Sequence, residues 1–145
     1  MFEKLNHIEL SGDIYPLKCD LLVLERIQEE FGDVSEFENR MIGFEPSIDE
    51  SGEVKRNEKN QIMGFYKTPE IKVLKKALFW MVEEGIHIEK DSGKETHEIT
   101  ESDLMRKVDI PPRELGELLQ KEFGRCFERK NKVTTQRKEE AEKTE

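Results

Sequence analysis

PEIKVLKKALFWMVEEGIHIE, Pro69 to Glu89, carries more of the fold than any other stretch of this chain. Ile71, Leu74, Leu78, Met81 and Val82 recur at helical spacing and form one apolar stripe. Val73, Ala77 and Trp80 widen it, so this helix is expected to be the most buried in the protein. Thr68-Pro69 reads as its start, a hydroxyl N-cap followed by proline at the first helical position. Gly85 reads as its end. Ile86-His87-Ile88-Glu89 then alternates as a strand, Asp91-Ser92-Gly93-Lys94 supplies a turn, and Glu95 to Ile99 returns as its partner.

Upstream, residues 5–18 read as a hairpin. His7-Ile8-Glu9-Leu10 alternates, Ser11-Gly12-Asp13 supplies turn chemistry, and Ile14, Tyr15 and Leu17 make a second strand. Pro16 places that strand at an edge, because proline has no N–H for a ladder. Asp20 is a good N-cap for a helix whose apolar face is Leu21, Leu24, Ile27 (or Gln28) and Phe31, stopped by Gly32. Ser35 opens a short second helix with Phe37, Met41 and Ile42, ended by Gly43. Residues 44–67 are polar, with turn formers at Asp49-Glu50-Ser51-Gly52 and Glu58-Lys59-Asn60. They read as a mobile loop or a weak hairpin, with Ile62, Met63, Phe65 and Tyr66 returning to the core.

Downstream, Thr100-Glu101-Ser102-Asp103 resembles a capping box and starts a helix to about Lys107. Pro111-Pro112 opens a last helix with Leu115, Leu118, Leu119, Phe123 and Phe127 on one face. Gly116 and Gly124 weaken it by roughly 1 kcal/mol each relative to alanine. The last-helix face has two readings, docking onto the body or binding a partner, either another copy or a different protein. On the second reading the contact residues are Leu115, Leu119, Phe123 and Phe127 with Arg125 and Arg129. Residues 129–145 carry almost no apolar side chains and are expected to be disordered alone or helical only when bound. The fold class is therefore α+β: one domain over residues 1–128, two small hairpins and four to five helices, then a flexible charged tail.

The chain has 145 residues and a formal net charge of −9. Residues 129–145 hold six Lys/Arg against four Glu, a local +2, which leaves −11 on residues 1–128. An acidic body argues against nucleic acid, whose phosphates call for a basic surface. Its plain role is solubility; a basic patch on a partner protein is the alternative. No apolar run approaches the roughly 20 residues that span a bilayer. Glu3, Asn6 and His7 interrupt any signal-peptide core, and two distant cysteines fit a reduced, cytoplasmic setting.

Reaction chemistry is sparse. The chain has no phosphate-binding glycine loop and no G-x-S-x-G nucleophile elbow. His87 and His97, with Glu89 and Glu95, would approach one another across the hairpin expected at 86–99; their plain reading is solvent-facing strand histidines. Cys19 stands just before a helix start, where a thiolate is stabilised, but it has no recognisable histidine partner in sequence and reads rather as a small buried hydrophobe. Phe79, Trp80 and Met81 read as core, or as a partner groove if they stay exposed. No enzyme, cofactor or metal is expected.

Several segments, in order, resemble one family. They are the first hairpin leading into YPLKCDLLVLERIQEEFG (Tyr15 to Gly32), ALFWMVEEGIHIE (Ala77 to Glu89), ITESDL (Ile99 to Leu104) and NKVTTQRK (Asn131 to Lys138). In this order they resemble the tail assembly chaperones of long-tailed, siphovirus-type phages and of prophages in Gram-positive bacteria. Residues 44–67 match nothing in that pattern. The resemblance implies a cytoplasmic, non-structural assembly factor that binds the helical tape measure protein and keeps it soluble until tail-tube subunits polymerise around it. It also implies a longer frameshifted form, diverging near the tail, whose extension recruits tail-tube protein. A small acidic adaptor or regulatory module binding a host or phage protein is the other class of function. Monomer and homo-oligomer both stay open.

Overall fold

The computed structural model describes residues 4–128. Strands β1 (Asn6–Leu10) and β2 (Asp13–Leu17) form an antiparallel hairpin, followed by helices α1 (Leu21–Phe31) and α2 (Val34–Ile42). Strands β3 (Phe44–Pro46) and β4 (Gly64–Tyr66) pair antiparallel, and α3 (Ile71–Asp91), α4 (Glu101–Lys107) and α5 (Pro112–Arg125) complete the order. The described residues thus make an α+β fold of two small hairpins and five helices. No described helix is long and apolar enough to cross a membrane. The expected behaviour of residues 129–145 lies outside the described residues.

Helix α3 is the axis, touching β2 and all four other helices. Val73, Leu74, Ala77, Leu78, Met81 and Val82 are buried along it. Trp80 is buried too, which settles it as core; Phe79 is half-buried beside it. The first hairpin turns through Ser11 and Gly12, both at positive φ (50° and 83°), the primed turn that suits strand twist. Its tip is held by the end of α4: Ser11 Oγ donates to the Lys107 carbonyl at 2.7 Å and Ser11 N to Asp109 at 3.1 Å.

The second hairpin is not where the sequence pattern put it. Residues 86–89 are the last turns of α3, and Glu95 to Ile99 form no strand. Ile86 lies one turn beyond Val82 and continues the buried stripe, so a short alternation was also a helical period. Gly85 does not end the helix. A Cβ there would stand 2.8 Å from the Pro16 carbonyl carbon and 2.9 Å from its Cβ, so the missing side chain lets α3 lie directly on β2. One turn earlier, the Met81 carbonyl accepts from Lys18 N at 3.0 Å. Residues 44–66 supply the second hairpin instead.

Smaller shifts have local causes. Asp20 caps α1 as expected, accepting from Val23 N at 3.2 Å, and Thr100 caps α4. On α1, however, Leu21 is 77 % exposed, and Val23 and Ile27 face the core. Phe31 lies edge-on to Trp80 at 6.1 Å between ring centroids, and Arg26 stacks over Trp80 at 5.0 Å; these contacts orient the helix. Asp33, not Ser35, caps α2, accepting from Glu36 N at 3.1 Å. Helix α3 starts after Glu70 rather than at Pro69. Arg40 holds the Glu70 carboxylate through two bonds, 2.8 and 2.9 Å, and the Arg40 carbonyl accepts from Glu70 N at 3.1 Å.

Candidate partner-binding surface

Most of the face expected to meet a partner is spent inside the protein. Leu115, Leu119 and Phe123 are buried in the core. Gly116 explains the depth of the docking: a Cβ there would meet the Met41 carbonyl oxygen at 2.7 Å, so α5 and the end of α2 touch backbone to backbone. Arg125 is half-buried and pairs with Glu122 at 3.2 Å. Phe127, 61 % exposed, still faces solvent with its ring tilted on Phe123 at 5.4 Å, and Leu118 of α5 is partly exposed. Arg129 lies outside the described residues.

The surface that the sequence reading missed lies on residues 44–66, read as a mobile loop or a weak hairpin; the hairpin is what forms. Residues 44–66 form a closed, two-lobed arm. Its root is β3 with β4, where Phe44 and Tyr66 meet edge-on at 5.3 Å between ring centroids and Arg113 of α5 lies 5.8 Å above the Tyr66 ring. Gly64 makes room for that packing, since a Cβ there would sit 2.5 Å from the Phe44 ring. Beyond the root the chain divides into two tight turns, with bridges Ile48 to Val54 and Arg56 to Ile62.

Three backbone hydrogen bonds join root and lobes in a ring. Ser47 N donates to Met63 O (2.8 Å), Met63 N to Lys55 O (2.9 Å), and Lys55 N to Ser47 O (2.9 Å). The three residues are eight apart, and the two lobes repeat one design. Asp49 Oδ1 accepts from Ser51 N and Glu53 N, while Gly52 takes φ 88°. Eight residues on, Asn57 Oδ1 accepts from Lys59 N and Gln61 N, while Asn60 takes φ 63°. Each side chain closes its turn from within, and the fourth turn position holds a residue tolerant of the left-handed region.

Ile62, Met63, Phe65 and Tyr66 therefore do not return to the core. Phe65 is 51 %, Tyr66 59 % and Ile48 60 % exposed, and Val54, Ile62 and Met63 are exposed beside them. The strand period puts Ile48 on the Phe44 side of the arm and Ile62 on the Tyr66 side of the same face. The signals for this surface were present: four large apolar residues in a polar stretch and two turn formers eight apart. At the foot of the arm, Asn39, Arg40, Phe44, Lys67 and Glu70 line an open cleft of about 400 Å³. Its ion pairs, Arg40 to Glu70 and Lys67 to Glu45, are exposed, so they orient the arm more than they stabilise it.

The two histidines are not brought together, and both readings of them assumed a strand that is not there. His87 is exposed on α3, and the hairpin that would have carried His97 to it is absent. Among the described residues no three of His, Cys, Asp and Glu gather to hold a metal ion. One carboxyl is unusual. Burial raises the Glu84 pKa, a hydrogen bond to Asp20 and the charges of Asp20 and Glu83 add to this, and Arg26 opposes it, leaving the group at about 8. Its ordinary value is 4.5, so folding favours the protonated form. That contribution is complete below pH 4.5 and is lost as pH rises through 8. Glu84→Gln keeps the neutral shape at every pH. Thermal melts are expected to show it matching the parent near pH 4.5 and exceeding it above pH 8. An equal difference at both pH values would remove Glu84 as the cause.

No protein-family model, no curated protein and no solved structure matches this chain.

Proposed function

We propose that this protein is a non-catalytic tail assembly chaperone of a long-tailed phage or prophage. It works in the host cytoplasm, binds the tape measure protein and hands it to tail-tube protein as the tube assembles. Two things support this reading: the order of segments that resembles the family, and the arm. The arm is the observation that carries it. Ile48, Val54, Ile62, Met63, Phe65 and Tyr66 are presented to solvent by a segment closed through its own backbone. Exposed apolar side chains on an ordered projection suit a client whose helices carry apolar stripes, which this surface would cover. The net charge of −9 keeps such a complex soluble.

Co-expression with the tape measure protein of the same genome, read by size-exclusion chromatography with light scattering, tests the reading. A soluble stoichiometric complex that persists at high salt is expected, because apolar contacts are little screened. An insoluble tape measure beside a non-binding chain would sink it. Capture of a different protein by contacts that fail at high salt would put the acidic adaptor in its place.

Lys55→Pro probes the arm separately. Proline removes the N–H that donates to Ser47 O, opening the three-bond ring, and Lys55 is exposed and outside the buried core. The body is expected to melt within about 3 °C of the parent, as for a surface change. The complex is expected to weaken about tenfold or more, the effect of losing one well-packed contact cluster. Unchanged binding by this variant would remove the arm as the contact surface.

A further inference from the structure

Cys19 precedes α1 at 2 % exposure, and Cys126 follows α5, half-buried against the same core. Glu122 sets their juxtaposition. Its carboxylate accepts from Cys19 N at 3.0 Å. Cys126 stands four residues further on with helical backbone angles (φ −64°, ψ −21°), one turn along the same side of α5. The two thiols are near neighbours, close enough for each to shift the other's titration. Two cysteines from opposite ends of the described chain come together beside Glu122, and neither is used by the arm.

We propose that Cys19 and Cys126 form a dithiol that closes to an intramolecular cystine, making the contact between α5 and the start of α1 a site of reversible oxidative modification. The oxidant class is a low-molecular-weight disulfide such as glutathione disulfide. Cys126, the more exposed sulfur, gives up its proton and attacks one sulfur of the oxidant, expelling a glutathione thiolate. Cys19 loses its proton in turn and attacks the Cys126 sulfur of the mixed disulfide, expelling the second glutathione. Two thiols become one cystine, one glutathione disulfide becomes two glutathiones, and the two protons pass to the released thiolates.

The surroundings set the pace. Burial pushes both thiols up; at Cys19 the neighbouring Cys126 thiol, Glu122 and Asp20 add to it. At Cys126 the Cys19 contact and Lys18 work the other way, against Asp20 and Glu122. Thiolate is scarce at neutral pH, so closure is slow there and quickens as pH rises. Glu122 already ties the Cys19 backbone to α5, so closure joins two segments that the fold holds side by side. It constrains the unfolded chain across nearly the whole domain, so the oxidised form is expected to melt about 5–15 °C higher.

The test incubates the full chain, folded and dilute, with glutathione disulfide at pH 8 and follows intact mass and melting temperature. The expected product is a monomer lighter by two hydrogen atoms, more heat-resistant, and restored to the starting mass and melt by dithiothreitol. Cys126→Ala, at the half-buried position, is expected to fold and to stay at the starting mass. Cys19→Ala is expected to stop at one glutathione on Cys126. An unmodified native protein, a wild-type chain that stops at the glutathione adduct, or a disulfide between chains would each overturn the proposal.

Discussion

Glu122→Ala is expected to lower folding stability by about 3 kcal/mol, the size usual for removing one member of a buried charged network. Glu122 is the only charged or polar side chain among the described residues that is almost wholly buried. Its carboxylate joins three parts of the fold. Oε1 accepts from Asn6 Nδ2 at 2.7 Å and from Arg125 at 3.2 Å, and Oε2 accepts from the Cys19 backbone N–H at 3.0 Å. Alanine leaves that backbone N–H buried with no acceptor and opens a gap where β1, the start of α1 and α5 meet. Glu122→Gln separates the two causes. It keeps the volume and one acceptor oxygen, but turns an amide N–H₂ toward a donor, so about half the loss is expected to remain. Urea unfolding of the three proteins checks this; a loss below about 1 kcal/mol for alanine would mean the network is dispensable.

Gly85→Ala is expected to destabilise by about 2 kcal/mol or more, against helix propensity, which favours alanine over glycine by roughly 1 kcal/mol. The new methyl would press on the Pro16 carbonyl and ring, neither of which can swing aside. Either α3 lifts from β2, weakening the Lys18 to Met81 bond, or the helix bends. Gly124→Ala is the matched control. That site in α5 is exposed with open space around it, so only propensity acts, and a gain of up to about 1 kcal/mol is expected. Opposite signs for the two substitutions in thermal melts would establish close approach as the reason for Gly85; a gain at both would refute it.

These glycines show where sequence reading reached its limit. Gly85, Gly116 and Gly124 look alike in a string of helix formers, and all three read as weak points or stops. The fold separates them by what stands opposite: Pro16, the Met41 carbonyl, and nothing. The last-helix stripe behaves the same way. Its period announced an apolar face, but not whether the chain's own α2 and α3 or a partner would cover it. Phe127 escapes burial because α5 has ended before it.

Sequence by itself determined whatever depends on neighbours within a turn or two. The Ser11-Gly12 hairpin turn, the Asp20 and Thr100 caps, the stripe of α3 and the α+β class rest on side chains bonding their own backbone or repeating at a fixed period. Turn formers and the weak-hairpin reading hinted at the arm, but tertiary structure decided its closure. Its ring of Ser47, Lys55 and Met63 is made by backbone groups, which every residue but proline possesses, so no side chain announces it. It also decided that α3 continues through Gly85, because the benefit of a missing side chain there comes from Pro16, far away in the chain. A local pattern records what a residue can do, and a distant backbone selects which of those things it does.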